Sequence, residues 1–290
     1  MARRSANRTS SRKSSQRKSL RLQVPQFLAR LWPSARLRKR WMRTLARAPL
    51  AVRIVVIVAA VLLMWVTVNW IYQVIRKPSE LFFPISGVLH KTPAETWDTY
   101  DSVFKRHATD VITADFLAAL AQVEGSGNPI VRTYWRWSFK SDPFEVYRPA
   151  SSAVGMYQFT DGTFAEARHY CIHDHVVVAD GPWSDWKSCW FNSLYTRVIA
   201  TDAVELAAAY LDNRVAAVLR RQRIVNTTRK QKQDLAAVIH LCGAGAGEVF
   251  ARRGLRLSST QKCGDHSVRA YVGRVNAMKA VFAKLAREQE

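Results

Sequence analysis

Residues 113–129 read TADFLAALAQVEGSGNP, and they carry both a helix pattern and a sharp stop. Thr113 is a residue type that caps helix N-termini. Phe116, Leu120 and Glu124 then follow at intervals of four, which places them on one helix face. The Gly-Ser-Gly-Asn-Pro run after Glu124 ends the helix, because Gly and Asn accept left-handed backbone and Pro cannot continue a helix. The stretch predicts a helix with an acidic side chain on its inward face, in its last turn.

Apolar stripes at helical spacing recur on both sides of this stretch. Thr92, Pro93 and Glu95 predict a second helix start, with Pro at the first position and Glu placed to complete a capping box. Further helices are predicted over about 201–222, 232–242 and 267–286. We find no β-hairpin signature and no internal repeat. The expected fold class is mainly α, with one helical domain over 92–290.

Charge is distributed very unevenly along the 290 residues. Positions 1–53 hold 16 of the 44 basic residues and no acidic one. Positions 54–290 therefore contain 28 basic and 22 acidic residues, a net charge of +6. We interpret residues 1–53 as a basic cytoplasmic tail that is largely disordered, above all over 1–20.

A run of 22 uncharged residues, Ile54–Ile75, follows the tail. A helix of this length reaches roughly 33 Å, enough to cross a bilayer core. Trp65, Trp70 and Tyr72 lie in its second half, and aromatic rings favour the membrane interface. The charge bias predicts a single-pass protein of the inner membrane with a cytoplasmic N-terminus, a linker at 76–91 and a periplasmic domain. The lipid bilayer is the expected partner of 54–75.

The end of the tail has an amphipathic pattern of its own. Leu37, Trp41 and Leu45 recur at intervals of four among basic residues of 36–47. This predicts a helix that binds anionic lipid headgroups. Nucleic acid or a cytoplasmic protein is the alternative partner, and we expect lipid because a membrane span adjoins.

The four cysteines, Cys171, Cys189, Cys242 and Cys263, all follow the apolar run. An even number in an exported domain predicts disulfides, for which three pairings are possible. Spacing favours Cys171–Cys189 and Cys242–Cys263. The alternative is four buried free thiols.

Glu124 is the candidate catalytic residue. Burial and the negative end of the helix dipole both disfavour a charged carboxylate at this position. A carboxyl that keeps its proton can act as a general acid. The alternative is a solvated glutamate at a frayed helix end.

The surrounding sequence resembles the SLT-type lytic transglycosylases, relatives of goose-type lysozyme. Residues 120–129, with Glu124 and Asn128-Pro129, resemble the family's Glu-Ser-x-x-Asn-Pro segment. Residues 152–159 resemble its Gly-Leu-Met-Gln segment, 239–245 its Tyr-Asn-Ala-Gly segment, and Tyr271-Val272 its C-terminal Tyr-Val. The four occur in family order over roughly 110–285.

The resemblance implies a lysozyme-like fold and cleavage of peptidoglycan between N-acetylmuramic acid and N-acetylglucosamine, without a cofactor. One glutamate, here Glu124, would serve as both acid and base and leave a 1,6-anhydro-muramyl end. The alternative is a lysozyme-type hydrolase with a second carboxylate, about 5–5.5 Å away for retention or 6.5–9.5 Å for inversion. Asp142, Glu145 and Asp161 are the nearest candidates for that second group.

Further substrate contacts carry over from the motifs. They are Ser126, Met156, Tyr157, Gln158 and Tyr271, with core packing as the alternative for Met156, Tyr157 and Tyr271. Gly125 and Leu241 stand where the family usually has Ser and Asn, and His240 stands where it has Tyr. These departures motivate another hypothesis, a non-catalytic module that binds peptidoglycan for an envelope complex.

Two other patterns have competing interpretations. His169, Cys171, His173 and His175 alternate, which on a strand would align four metal ligands, although an oxidised cysteine could not serve. We therefore predict no metal site, and a core role for His240.

Among the aromatic residues Tyr134, Trp135, Trp137, Trp183, Trp186 and Trp190, we expect a minority to stack on sugars.

Overall fold

The computed structural model describes residues 35–77, 80–81, 86–138, 142–185 and 187–289. Of these described residues 61% are helical, which confirms the predicted mainly α class. The chain divides into two compact units, Met1–Trp65 and Val66–Glu290. The expectation of disorder over 1–20 falls outside the described residues.

The first unit contains helix α1, Ala35–Arg47, and the start of helix α2, Leu50–Arg76. Helix α1 coincides with the predicted basic amphipathic helix, and its Trp41 is 71% exposed. Helix α2 has 27 residues and extends about 40 Å. Leu63 is 69% exposed although it is apolar. This helix therefore has the length and the uncovered apolar surface of a membrane span.

The second unit is built on six helices among its described residues. They are α3 Pro93–His107, α4 Ala114–Gly125, α5 Asp161–Ala167, α6 Ala200–Arg221, α7 Arg229–Arg252 and α8 Val268–Glu288. Short 3-10 helices span Ser86–Leu89 and Trp190–Leu194. Helix α4 packs on α3 and α8, and α6 packs on α3 and α7. Trp97, Phe104, Phe116, Phe250 and Phe282 fill the core between these helices.

Two helix starts follow the expected cap chemistry to different degrees. The Thr92 hydroxyl accepts from the Glu95 N–H while the Glu95 carboxylate accepts from the Thr92 N–H, which confirms the capping box. Thr113 is the N-cap of α4 but makes no side-chain cap bond. Its hydroxyl instead accepts from the Gln233 amide at 2.9 Å, and this bond ties α4 to α7.

Helix α7 is longer than predicted. It continues to Arg252, whereas the apolar pattern predicted an end at Cys242. Gly243 has φ 80° and ψ 171°, so the helix is interrupted there and then resumes. The predicted end was wrong, because the chain resumes the helix after this one residue. Helix α7 is also apolar enough to span a membrane, but half of its apolar window is buried in the unit's core.

The expectation of no β-hairpin was wrong. The described part of the chain contains three antiparallel pairs: Trp135–Trp137 (β1) with Tyr147–Pro149 (β2), Tyr170–His173 (β3) with Val176–Ala179 (β4), and Lys262–Cys263 (β5) with His266–Ser267 (β6). The β3–β4 turn uses Asp174 and His175, both at positive φ. That turn normally takes Asn-Gly, so the sequence lacked the usual signal.

The predicted linker at 76–91 is partly folded into the second unit. Glu80 is fully buried, and its Oε2 accepts from Arg132 and from the Trp135 indole, each at 2.8 Å. Lys77 Nζ lies 3.3 Å from Glu80 Oε1 and donates to the Ala153 carbonyl at 3.0 Å. Burial lowers the pKa of Lys77. The buried Glu80 carboxylate holds the segment against β1, because removing it would take the acidic partner from both Lys77 and Arg132.

Both disulfides form as the spacing suggested. Cys171 pairs with Cys189, and Cys242 pairs with Cys263. The first connects β3 to the Trp190–Leu194 helix, and the second connects α7 to β5. Disulfides persist in oxidising compartments, which indicates an extracytoplasmic location for this unit.

Candidate active site

Glu124 lies in the last turn of α4, next to the residue that ends the helix. Ser126 follows in the left-handed conformation, with φ 50°, and its N–H bonds the Gln122 carbonyl. The Glu124 side chain is 18% exposed. It therefore lies at the edge of the core, within reach of both packed side chains and solvent.

The end of α4 is held by Lys91, which precedes α3, and by Thr96 in the first turn of α3. The Gln122 amide donates to the Lys91 carbonyl at 2.9 Å and accepts from the Thr96 hydroxyl at 2.7 Å. The Lys91 N–H in turn donates to the Ser126 carbonyl at 2.9 Å. These bonds position Ser126 through its backbone and prevent the turn that carries Glu124 from fraying.

Tyr271 supplies the first contact of the carboxyl. It lies on α8, is 2% exposed, and its hydroxyl donates to Glu124 Oε1. Burial, and then the neighbouring carboxylate, raise the pKa of Tyr271 well above its ordinary value. The phenol therefore stays protonated and remains a donor. Tyr271 was predicted either to line the substrate groove or to pack in the core. Its ring is buried in the core, and its hydroxyl contacts the carboxyl of Glu124.

His240 supplies the second contact, from α7. Its Nε2 lies 3.6 Å from Glu124 Oε1, and its side chain is 6% exposed. Burial lowers the pKa of His240, while Glu124 and a hydrogen bond to the Tyr157 backbone oppose that shift. The imidazole is thus neutral at ordinary pH. Sequence reasoning treated His240 as a core residue and missed this contact, although its place in the third motif was the available signal.

The second motif packs beneath Glu124 through its backbone. A Cβ on Gly125 would lie 2.9 Å from Met156 Cα, so only glycine allows this approach. Met156 is 0% and Tyr157 is 1% exposed, and the Tyr157 hydroxyl donates to the Leu117 carbonyl. Both side chains therefore pack in the core. This was the alternative to their predicted role as substrate contacts on the floor of the groove.

The Gln158 side chain stabilises a turn, a role separate from its predicted contact with substrate. It adopts a positive φ of 47°, and its amide donates to the Gly155 carbonyl at 2.8 Å and to the Val131 carbonyl at 3.2 Å. These bonds close the turn that follows Gly155. Contact between Gln158 and a sugar stays a prediction.

The three candidate second carboxylates have partners elsewhere. Glu145 pairs with Arg76 and Arg148, at 2.8 and 3.0 Å. Asp161 pairs with Arg197 at 2.8 Å, and Asp142 accepts from the Phe144 N–H. In the described part of the chain, the ionisable side chains in contact with Glu124 are Tyr271 and His240.

The alternating histidines do not form a metal site. Cys171 is oxidised, and the His175 Nδ1 lies 2.8 Å from the Ala108 carbonyl. Within residues 35–289, leaving aside the segments that are not described, no group of three or more His, Cys, Asp or Glu side chains is arranged to hold a metal ion.

The aromatic residues are divided between surface and interior. Tyr134, Trp137 and Trp183 are 74%, 60% and 83% exposed, while Trp135 turns inward to Glu80. Trp186 falls outside the described residues. The exposed rings remain available for stacking on a ligand.

Comparison of the chain with protein-family models, with curated proteins and with solved structures gives no match.

Proposed function

We propose that the protein is a membrane-anchored peptidoglycan lytic transglycosylase with a lysozyme-like domain, in which Glu124 is the single acid and base. One observation carries the proposal. Tyr271 and His240, from two of the other segments that resemble the family's motifs, both approach the Glu124 carboxyl, and the backbone of Tyr157, from the remaining segment, hydrogen-bonds His240. Such convergence is what a shared catalytic role of these segments requires.

The geometry suggests how the acid would act. Tyr271 and His240 both approach Oε1, so we assign the transferable proton to Oε2. In the first step Glu124 gives this proton to the glycosidic oxygen as the bond from that oxygen to C1 of the muramyl sugar breaks. In the second step the C6 hydroxyl of the same sugar attacks C1 and returns a proton to the carboxylate. No water is consumed, and the product carries a 1,6-anhydro end.

Helix α2 would anchor this domain in the inner membrane, with residues 1–53 in the cytoplasm. The uncovered apolar surface of the helix and the disulfides of the second unit support this orientation. Glycan strands are then the substrate on the periplasmic side, and the bilayer is the partner of 54–75. The exposed basic residues of α1 would contact anionic headgroups.

Glu124→Gln tests the proposal directly. Loss of the proton donor should reduce release of soluble muropeptides from purified sacculi by about 10²–10⁴-fold, the usual contribution of general acid–base catalysis. The matched control is Glu288→Gln, which alters a half-exposed glutamate at the end of α8 and should leave release unchanged.

Three results would contradict the proposed function. Equal release by wild type and Glu124→Gln would remove Glu124 from the chemistry. Binding of wild type to sacculi without turnover would favour the binding module. Products with one added water per cut would favour a hydrolase.

A further inference from the structure

The last two turns of α2 bury two amide side chains in an otherwise apolar helix. Asn69 is 2% and Gln73 is 5% exposed, whereas Ile71 and Ile75 are 46% and 75% exposed. The two amides are four residues apart, so they lie on one helix face. This polar face is covered, and the apolar face is not.

The hairpin formed by β1 and β2 covers that polar face through Tyr147 of β2 and through Phe144, which precedes β2. Asn69 Nδ2 donates to the Tyr147 carbonyl, and Gln73 Nε2 donates to the Phe144 carbonyl, each at 2.8 Å. The Tyr72 ring packs on Phe144 with centroids 5.4 Å apart. The helix end and the hairpin therefore form one connected piece.

An ion pair also connects the end of α2 to the hairpin. Arg76 bonds Glu145 at 2.8 Å, and Glu145 also bonds Arg148 on β2 at 3.0 Å. Arg76 and Lys77 are the first charged residues after the apolar run. Asn69 precedes Arg76 by seven residues, which is about 10 Å along a helix. The hairpin is thus attached at the level of the last apolar residues of α2.

The depth of the hairpin in a bilayer follows from the cost of burying polar side chains in lipid. Amide side chains near the end of a membrane span are costly unless they find hydrogen-bond partners. Here their partners are backbone carbonyls of the hairpin segment, so that segment must share the depth of Asn69 and Gln73. Trp137 is 60% exposed and stacks on Tyr147, with ring centroids 4.8 Å apart. Exposed aromatic rings at this depth are typical of the interfacial belt.

We propose that strands β1 and β2, with Phe144, form a membrane-contacting element that lies in the interface of the bilayer crossed by α2. The partner of this surface is the lipid bilayer itself. The inference rests on the membrane anchor of the proposed function and does not depend on catalysis.

The base of the hairpin adjoins the candidate active site. Arg132 forms a bridge with Val154, and the Gly155 N–H donates to the Val131 carbonyl at 3.0 Å. The next residue, Met156, touches Gly125 beside the acid. If Glu124 acts as proposed, the element holds the site next to the membrane, and glycan strands at the bilayer surface are the substrate within reach.

The test measures probe depth in the full chain reconstituted in lipid nanodiscs. A fluorescent probe is attached to Trp137→Cys under conditions that keep the native disulfides oxidised. Val61→Cys reports on the apolar helix, and Val225→Cys, at an 89% exposed position between α6 and α7, is the control in the second unit. Brominated lipids should quench the probes at 61 and 137 and leave the probe at 225 unquenched.

The outcomes separate the two claims. Quenching at 61 with none at 137 would overturn the hairpin proposal and leave the membrane anchor intact. No quenching at 61 would overturn the anchor, and the hairpin proposal with it.

A second variant tests the cause of the placement. Asn69→Leu with Gln73→Leu removes both amides while making the span more apolar. The span should stay inserted, and the probe at 137 should be quenched less than in the wild type, because the hairpin loses two of its hydrogen bonds to the helix while the Arg76–Glu145 pair remains. Val66→Leu with Val68→Leu, at exposed positions of the same helix, should leave the quenching unchanged. Full quenching in the amide variant would contradict the assigned role of Asn69 and Gln73.

Discussion

At the scale of single residues, the arrangement around Glu124 depends on which neighbours carry protons. Tyr271 is a donor whose pKa is raised, and His240 is a buried imidazole whose pKa is lowered, in each case chiefly by burial. Both partners are therefore uncharged at neutral pH. The carboxyl is held between two neutral polar groups, and no basic side chain among the described residues neutralises it.

His240 should make folding stability depend on pH. Because burial lowers its folded pKa below that of the unfolded chain, the unfolded state binds more protons as the pH falls below about 6.5. Stability should be fully present above that pH and decrease as acid is added. In His240→Gln, the melting temperature should fall less steeply between pH 7.5 and 5 than in the wild type.

The control for this prediction is His266→Gln, which changes an exposed histidine on β6 and should keep the wild-type slope. His107 is also buried with a lowered pKa, so some dependence should remain in His240→Gln. Identical slopes for wild type and His240→Gln would show that His240 does not titrate as described.

At the scale of secondary-structure elements, close packing accounts for glycine at position 125, where the family that the sequence resembles usually has serine. Its missing Cβ lets α4 approach the Met156 backbone, where an added carbon would lie 2.9 Å from Cα and 3.0 Å from the carbonyl oxygen. A serine at position 125 does not fit here without a backbone shift. Glycine at this position therefore allows residues around Met156 to pack against α4.

Gly125→Ser should destabilise the protein by about 1–3 kcal/mol, as expected for overpacking a close contact. Chemical denaturation of the second unit measures this. Gly273→Ser is the matched control, because that glycine is also helical and has open space at its Cβ. It should be neutral or stabilising, since serine has a higher helix propensity than glycine. Equal stability of Gly125→Ser and the wild type would contradict the steric argument.

The sequence predicted the helices better than the strands, for physical reasons. Caps such as Thr92 and stripes such as the one through Tyr271 and Phe282 are local signals of helix period. Strands of two to four residues are too short to show an alternating pattern, and the Asp174-His175 turn lacks glycine. The C-terminal end of α7 was predicted too early, at Cys242, because the chain resumes the helix after Gly243.

The candidate site was only partly predictable for a related reason. Glu124 could be singled out because its helix, stop signal and motif lie within one short segment. The contacts of Tyr271 and His240 with it join residues 147 and 116 positions apart, and no local pattern encodes them. The pairing of Asn69 and Gln73 with the hairpin was missed likewise, since uncharged polar residues in an apolar run give no sign of their partners.

At the scale of the whole molecule, charge and apolar surface are segregated along the chain. The basic residues of the tail precede the apolar helix, and the disulfides and the candidate site follow it. This order agrees with a membrane span at Leu50–Arg76 followed by a domain outside the cytoplasm.

The most direct measurement is digestion of purified sacculi by the full-length protein in H₂¹⁸O, followed by mass spectrometry of the released fragments. Cleavage by Glu124 with attack of the C6 hydroxyl predicts 1,6-anhydro-muramyl ends that contain no ¹⁸O from the solvent. Reducing muramyl ends that carry one ¹⁸O atom per cut would show that water is the nucleophile and would contradict the account.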